Sequence, residues 1–185
     1  MKNIAIFASG SGSNAENLIR YFSAHPQGTV RLVLSNKAEA GAIERATRLG
    51  VESMVFDRDT FYNSEQVLAR LRQERIDFVV LAGFLWLVPD YLIAAYPNIH
   101  PALLPKYGGK GMYGDRVHQA VVEAGEKESG ITIHRVNGQY DSGDIIAQHR
   151  VPLAPDDTPQ EVAAKVHALE YEYYPQAVEA ELAKL

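Results

Sequence analysis

The chain has 185 residues, 46% of them hydrophobic and 22% charged, enough for one globular domain with a sizeable core. A net charge of −5 argues against a general nucleic-acid binder while leaving room for a local pocket that holds a small anion. The absence of cysteine excludes disulfides and thiolate metal sites. No run approaches the ~20 apolar residues of a membrane helix, and the N-terminal apolar run is too short for a signal peptide, so the expected setting is the cytoplasm, with no membrane or nucleic-acid partner.

Asn3 to Ala8 is a strand-length apolar run, followed by Ser9-Gly10-Ser11-Gly12-Ser13-Asn14 and a helical pattern from Ala15 to Ser23. Strand, glycine loop and helix open an α/β unit. Val30 to Leu34 predicts a second strand, and Ala38 to Leu49 a helix closed by Gly50. Val51 to Phe56 predicts a third strand, and Asn63 or Ser64 caps a helix running to about Glu74. Phe78 to Ala82 is apolar without alternation, the mark of a central parallel strand covered on both faces. Val88 to Ala95 predicts a short helix with Pro89 in its first turn. Lys106 to Gly114 is a glycine-rich loop, a candidate for mobility, and Arg116 to Ala124 a helix. Gly130 to Val136 and Ile145 to Val151 alternate and read as antiparallel neighbours. Thr158 and Glu161 form a capping box for a last helix that Pro175 interrupts or kinks. No linker or repeat divides the chain.

Three stretches carry chemistry. In the first, Gly10 and Gly12 let the backbone approach an anion, and the following helix offers free amide groups. The loose dinucleotide pattern Gly-x-Gly-x-x-Ala is met, but the second strand ends in Ser35-Asn36-Lys37, without the acid that would hold a ribose. A monophosphate is therefore favoured over NAD, with a plain strand-to-helix turn as the bland alternative. The second stretch is Asn98-Ile99-His100-Pro101-Ala102-Leu103-Leu104-Pro105. If Asn98 to His100 is extended, the amide and the imidazole share one face. That pair suits a reaction at a carbonyl: the amide bonds an oxyanion and the ring brings a proton or positive charge. The third is Asp141-Ser142-Gly143-Asp144, where Asp141 is either a turn residue or a carboxylate that orients an imidazole and favours its charged form. No His, Asp or Glu spacing matches a metal site.

These three pieces, with Leu81-Ala82-Gly83-Phe84 between them, resemble the phosphoribosylglycinamide formyltransferase family over nearly the whole chain. The resemblance implies one Rossmann-like domain over residues 1–185. Its sheet would be mostly parallel with helices on both faces, ending in an antiparallel strand pair. It further implies transfer of a formyl group from the co-substrate 10-formyltetrahydrofolate to the amine of glycinamide ribonucleotide, in purine biosynthesis and without a metal. By the same resemblance Gly12, Ser13 and Asn14 hold the phosphate and Glu170 the ribose hydroxyls. Asn98 and protonated His100 stabilise the oxyanion, and Asp141 orients His100 and assists proton transfer. Leu85, Trp86 and Leu87 line the pterin pocket, partly through backbone groups, and His134 lies near the site. Ordinary core or surface roles are the bland alternatives for Glu170, Trp86 and His134.

The chain departs from the family pattern just before Asn98, where Tyr96-Pro97 stands in place of an apolar strand. The sequence predicts that a few residues are missing there, and the loop after Lys106 is longer than expected. The competing readings are another folate-dependent formyltransferase, a formyltetrahydrofolate hydrolase, or a non-catalytic phosphate-binding module. Transfer to a charged tRNA would need a basic C-terminal domain, and the hydrolase usually carries an extra N-terminal domain. Monomer and homodimer are equally compatible with the sequence.

Overall fold

A computed structural model describes residues 1–92, 97–100 and 102–185, and the backbone alone at 97–99. The chain runs β1 (Lys2–Phe7), α1 (Ser13–Phe22), β2 (Gly28–Ser35), α2 (Gly41–Arg48), β3 (Glu52–Val55), α3 (Arg58–Tyr62) and α4 (Gln66–Gln73). It continues as β4 (Phe78–Leu81), β5 (Pro97–His100), α5 (Asp115–Glu123), β6 (Glu128–Arg135), β7 (Ile145–Pro152) and α6 (Pro159–Leu182). The seven strands form one sheet in the order β3-β2-β1-β4-β5-β6-β7. The first five are parallel; β6 runs antiparallel to β5, and β7 antiparallel to β6. The expected α/β class, mostly parallel sheet and antiparallel C-terminal pair are all present.

The apolar runs explain the layering. Ile4 and Ile6 point into a core shared with Leu18, Ala46, Val121 and Val166, which belong to α1, α2, α5 and α6. Their neighbours Ala5 and Phe7 point to the opposite core, with Phe61, Val67 and Leu71 from α3 and α4. A strand covered on both faces has no polar side to show, hence the missing alternation in β1 and β4. Among the described residues, no helix is long and apolar enough to cross a membrane.

Four local expectations need correction. The sequence reading has no helix at 58–62, yet α3 forms there because the Asp57 carboxylate accepts the Thr60 N–H at 2.8 Å and caps it. Asn63 closes α3, so α4 begins two residues beyond Ser64. The helix expected over 88–95 is a single 3₁₀ turn, Asp90–Leu92, in its described part; residues 93–95 lie outside the described residues. Of the two expectations at Pro175, an interruption or a kink, the interruption is not met, since α6 continues through it to Leu182. Proline removes the hydrogen bond to the carbonyl four residues earlier. That carbonyl, of Tyr171, accepts the Asn17 side-chain amide at 2.9 Å instead.

The strand expected to be all but absent before the Asn98 motif is the motif itself. Pro97, Asn98, Ile99 and His100 pair in unbroken register with Arg135, His134, Ile133 and Thr132, and Asn98 pairs with Leu81 of β4. The expectation of missing residues falls on the step from Tyr96 to Asn98, and Tyr96 lies outside the described residues.

Candidate active site

The strand order reverses between β1 and β4, because β1 leads on to β2 and β3 on one side while β4 and β5 lie on the other. The loops leaving the two strands diverge, and a crevice opens at their carboxyl ends. A cavity of about 770 Å³ lies there. Of the residues predicted for the site, Ser13, Asn14, Leu85, Trp86, Leu87, His100, Asp141 and Glu170 line it, as does His134. Of Asn98 only the backbone is described, paired between Leu81 and His134; its side chain lies outside the described residues. Gly12 is not on the cavity wall.

At one end sits the glycine loop. Gly12 holds φ at +76° and packs so tightly on α2 that an added Cβ would lie 2.7 Å from the Ala42 nitrogen. It sets the shape of the turn. The first intrahelical bond of α1 runs from Glu16 N–H to the Gly12 carbonyl, so the N–H groups of Ser13, Asn14 and Ala15 precede the ladder and form the positive end of the helix dipole. The Arg45 guanidinium donates to the Ser11 carbonyl at 2.8 Å and pairs with Glu16, clamping the loop against α2. The Asn14 amide donates to Glu170 Oε2 at 2.9 Å, joining α1 to α6. Burial pushes the Glu170 carboxyl above its ordinary range, opposed by the Asn14 bond and the nearby His167 and His100.

At the other end the walls are apolar. Trp86 packs against Phe56, Phe61 and Tyr62, with ring centroids 5.9–6.1 Å apart. The Arg58 guanidinium stands 5.5 Å from the centre of the Trp86 ring. Two backbone groups of this segment are engaged within the protein: Leu85 N–H donates to Ser9 Oγ, and the Leu87 carbonyl accepts the Tyr62 hydroxyl.

Between the two ends lie His100, His134 and Asp141. The Tyr107 carbonyl is 2.7 Å from His100 Nε2, which must carry the proton of that bond. The other ring nitrogen, Nδ1, is 3.4 Å from Asp141 Oδ2. Both nitrogens thus face oxygen acceptors, an arrangement that a doubly protonated ring satisfies. His134 repeats the pattern, with Nδ1 donating to the Arg135 carbonyl at 2.9 Å and Nε2 lying 3.6 Å from Asp141 Oδ1.

Desolvation works to raise the Asp141 pKa, but bonds from both imidazoles, the charge of His100 and the Gly109 N–H at 2.8 Å outweigh it and hold the carboxyl well below its usual range. The turn and carboxylate readings of Asp141 turn out to be one thing. Its φ of +51° and the close approach at Gly143, where an added Cβ would sit 2.6 Å from the Arg135 carbonyl carbon, aim the carboxylate back at β5. The loop from Lys106, read as mobile, is tied at its start through Tyr107 and Gly109 to His100 and Asp141.

Sequence reading missed His118 and His167. Both line the cavity, and their ring centroids are 6.3 Å apart. Burial, then the neighbouring His167, pushes the His118 pKa down. His167 stands three residues before Glu170 and so on the same face of α6; that spacing was the available signal. Among the described residues, no group of three or more His, Asp or Glu side chains is placed to hold a metal ion.

The profile of the family described as "Formyl transferase" matches residues 2–178. The chain is 42% identical to a chloroplastic phosphoribosylglycinamide formyltransferase of Arabidopsis thaliana over 97% of its own length and 65% of the relative's. It is 35% identical to the phosphoribosylglycinamide formyltransferase of Bacillus subtilis, over 96% and 93% of the two chains. The crystal structure of the phosphoribosylglycinamide formyltransferase from Bacillus halodurans superposes with a TM-score of 0.86 at 35% identity, covering 99% of this chain and 96% of that one. The chain spans less than two thirds of the plant relatives' length. The family resemblance read from the three motifs is borne out.

Proposed function

Because the chain belongs to the formyl transferase family, we propose that it moves a formyl group from 10-formyltetrahydrofolate to the amine of glycinamide ribonucleotide. The observation that carries this reading is the convergence of three remote elements on one cavity. These are the amide-rich start of α1, the Asn14–Glu170 pair and the His100–Asp141 pair.

The roles follow from the chemistry each end offers. The N–H groups before the α1 ladder receive the acceptor's phosphate. Glu170, once ionised, accepts from the ribose hydroxyls while Asn14 holds it. The apolar segment Leu85-Trp86-Leu87 fits the flat, weakly polar pterin of the donor better than it fits a sugar. With both substrates held, the amine nitrogen attacks the formyl carbon. A C–N bond forms and the carbonyl electron pair moves onto oxygen. Asn98 donates to that oxygen, and His100 places positive charge beneath it; a pre-oriented donor of this kind contributes roughly 10²–10³-fold in rate. The register of Asn98 opposite His134 supports its placement here. As the bond to the folate nitrogen breaks, the proton lost by the amine passes to that nitrogen, with Asp141 directing its path through His100 or a water.

Calorimetric titration with glycinamide ribonucleotide, followed by a formyl-transfer assay, tests the reading. Binding with transfer is expected. Binding without transfer would mark a phosphate-binding module, and folate hydrolysis without acceptor would mark a hydrolase.

A further inference from the structure

Ser9 lies where β1 gives way to the glycine loop and is only 2% exposed. Its hydroxyl is used twice. It donates to Asn36 Oδ1 at 2.7 Å and accepts the Leu85 N–H at 3.0 Å. Its own N–H donates to the Gly83 carbonyl at 3.0 Å. One small side chain therefore laces together the loops that follow β1, β2 and β4, at the point where the strand order reverses. Asn36 and Leu85 both line the cavity. Asn36 flanks the glycine loop, and Leu85 opens the apolar wall.

We propose that Ser9 is a positioning residue that sets the spacing between the acceptor cradle and the donor wall, so that its hydroxyl governs turnover more than the binding of either substrate. The inference rests on the function proposed above. Ser9 is not itself on the cavity wall, so neither substrate meets it directly. The reaction needs more, because the amine must reach the formyl carbon at about 3–3.5 Å over the face of the carbonyl, and an error near 1 Å lowers the rate by about 10²-fold. Without the hydroxyl, the Leu85 N–H and the Asn36 carbonyl lose their common partner and the two loops settle independently.

The test compares Ser9→Ala and Ser9→Thr with the wild type. Dissociation constants for glycinamide ribonucleotide and for unformylated tetrahydrofolate are measured separately, and kcat in the full reaction. Ser9→Ala is expected to lower kcat at least tenfold, with both dissociation constants within threefold of wild type. Ser9→Thr, which keeps the hydroxyl, is expected to recover kcat to within threefold. The inference is overturned if Ser9→Ala leaves kcat unchanged, if weaker binding of one substrate explains the whole loss, if Thr does no better than Ala, or if circular dichroism shows that Ser9→Ala does not fold. A wild-type protein that transfers no formyl group to this acceptor overturns the functional reading first, and is told apart by needing no variant.

Discussion

Asp141 Oδ2 lies 3.4 Å from His100 Nδ1 while its other oxygen lies 3.6 Å from His134 Nε2, so one carboxylate serves two imidazoles. Changing Asp141 to Asn keeps the shape and removes the charge. A fall in kcat of roughly 10²–10⁴-fold is expected, with a changed pH–rate profile. An unaltered profile would remove Asp141 from the proton path. The same variant tests linkage. The Asp141 carboxyl is held below its ordinary range in the fold, so its stabilisation is fully present above the unfolded pKa near 4 and is lost progressively as pH falls from there through the lower folded pKa. The stability gap between wild type and Asp141→Asn should therefore be largest at neutral pH, of order 2 kcal/mol, and be narrower, though not closed, at pH 3. Urea unfolding at pH 7 and pH 3 measures it.

Glu170 presents the opposite sign. Burial raises its pKa above the unfolded value, so at low pH both states hold the proton and nothing is lost. As pH rises past the unfolded pKa, the folded state is penalised, and the penalty is complete above the raised folded pKa. Glu170→Gln removes that penalty, and its amide oxygen still accepts from Asn14. The variant is expected to melt a few degrees higher than wild type at pH 8 and equally at pH 4, while binding glycinamide ribonucleotide at least tenfold more weakly. Higher stability with reduced function is a common trade at a binding site. A variant that melts lower at pH 8, or binds as wild type does, contradicts the assignment.

The two carboxylates also show how far the sequence could be read. The residue types and spacings behind the proposed roles lie within short stretches: the glycine loop, Asn98 with His100, and the turn at Asp141. The parallel core was legible too, because a strand buried on both faces has no polar alternation to hide it. Contacts made across the fold were not. Nothing in the sequence ties Ser9 to Leu85, Asn14 to Glu170, or His118 to His167, because those pairs exist only once α5, α6 and the β4 loop have packed. The uninterrupted course of α6 has the same origin. Pro175 reads as a break or a kink by local rules, and the Asn17 side chain that satisfies the freed Tyr171 carbonyl lies on another helix.

Asn98→Ala tests the oxyanion assignment. A group that acts only in the transition state lowers kcat and leaves the Michaelis constants nearly unchanged. A loss of at least a hundredfold in kcat is expected, with each Michaelis constant within about threefold. A raised Michaelis constant with intact turnover would make Asn98 a binding residue.

Trp86→Ala tests the donor wall. The indole is held by Phe56, Phe61 and Tyr62, and truncation opens space where the pterin is proposed to lie. The Michaelis constant for the formyl donor should rise about tenfold or more, and that for glycinamide ribonucleotide should not move. Equal changes in both would place Trp86 in the general packing of the domain.

Gly10 and Gly12 stand two residues apart in one loop, and the structure gives them opposite sensitivities. At Gly12 the backbone sits at φ +76°, and an added Cβ meets the start of α2, with the Ala42 nitrogen 2.7 Å away. The left-handed conformation alone costs a residue other than glycine roughly 1–2 kcal/mol. The overlap adds to it, because α2 is fastened to this loop through Ala42 N–H to the Gly10 carbonyl and through Arg45 to the Ser11 carbonyl. Gly12→Ala is therefore expected to lose roughly 2–4 kcal/mol of stability, read as a lower urea midpoint at unchanged slope. At Gly10 an added Cβ meets nothing within 4 Å, and the residue lines the cavity. Gly10→Ala should unfold like wild type yet bind glycinamide ribonucleotide several-fold more weakly, because its methyl group stands where the phosphate would approach. Were both variants to lose affinity only in proportion to lost stability, the loop would be a plain strand-to-helix turn and the phosphate would have to be held elsewhere.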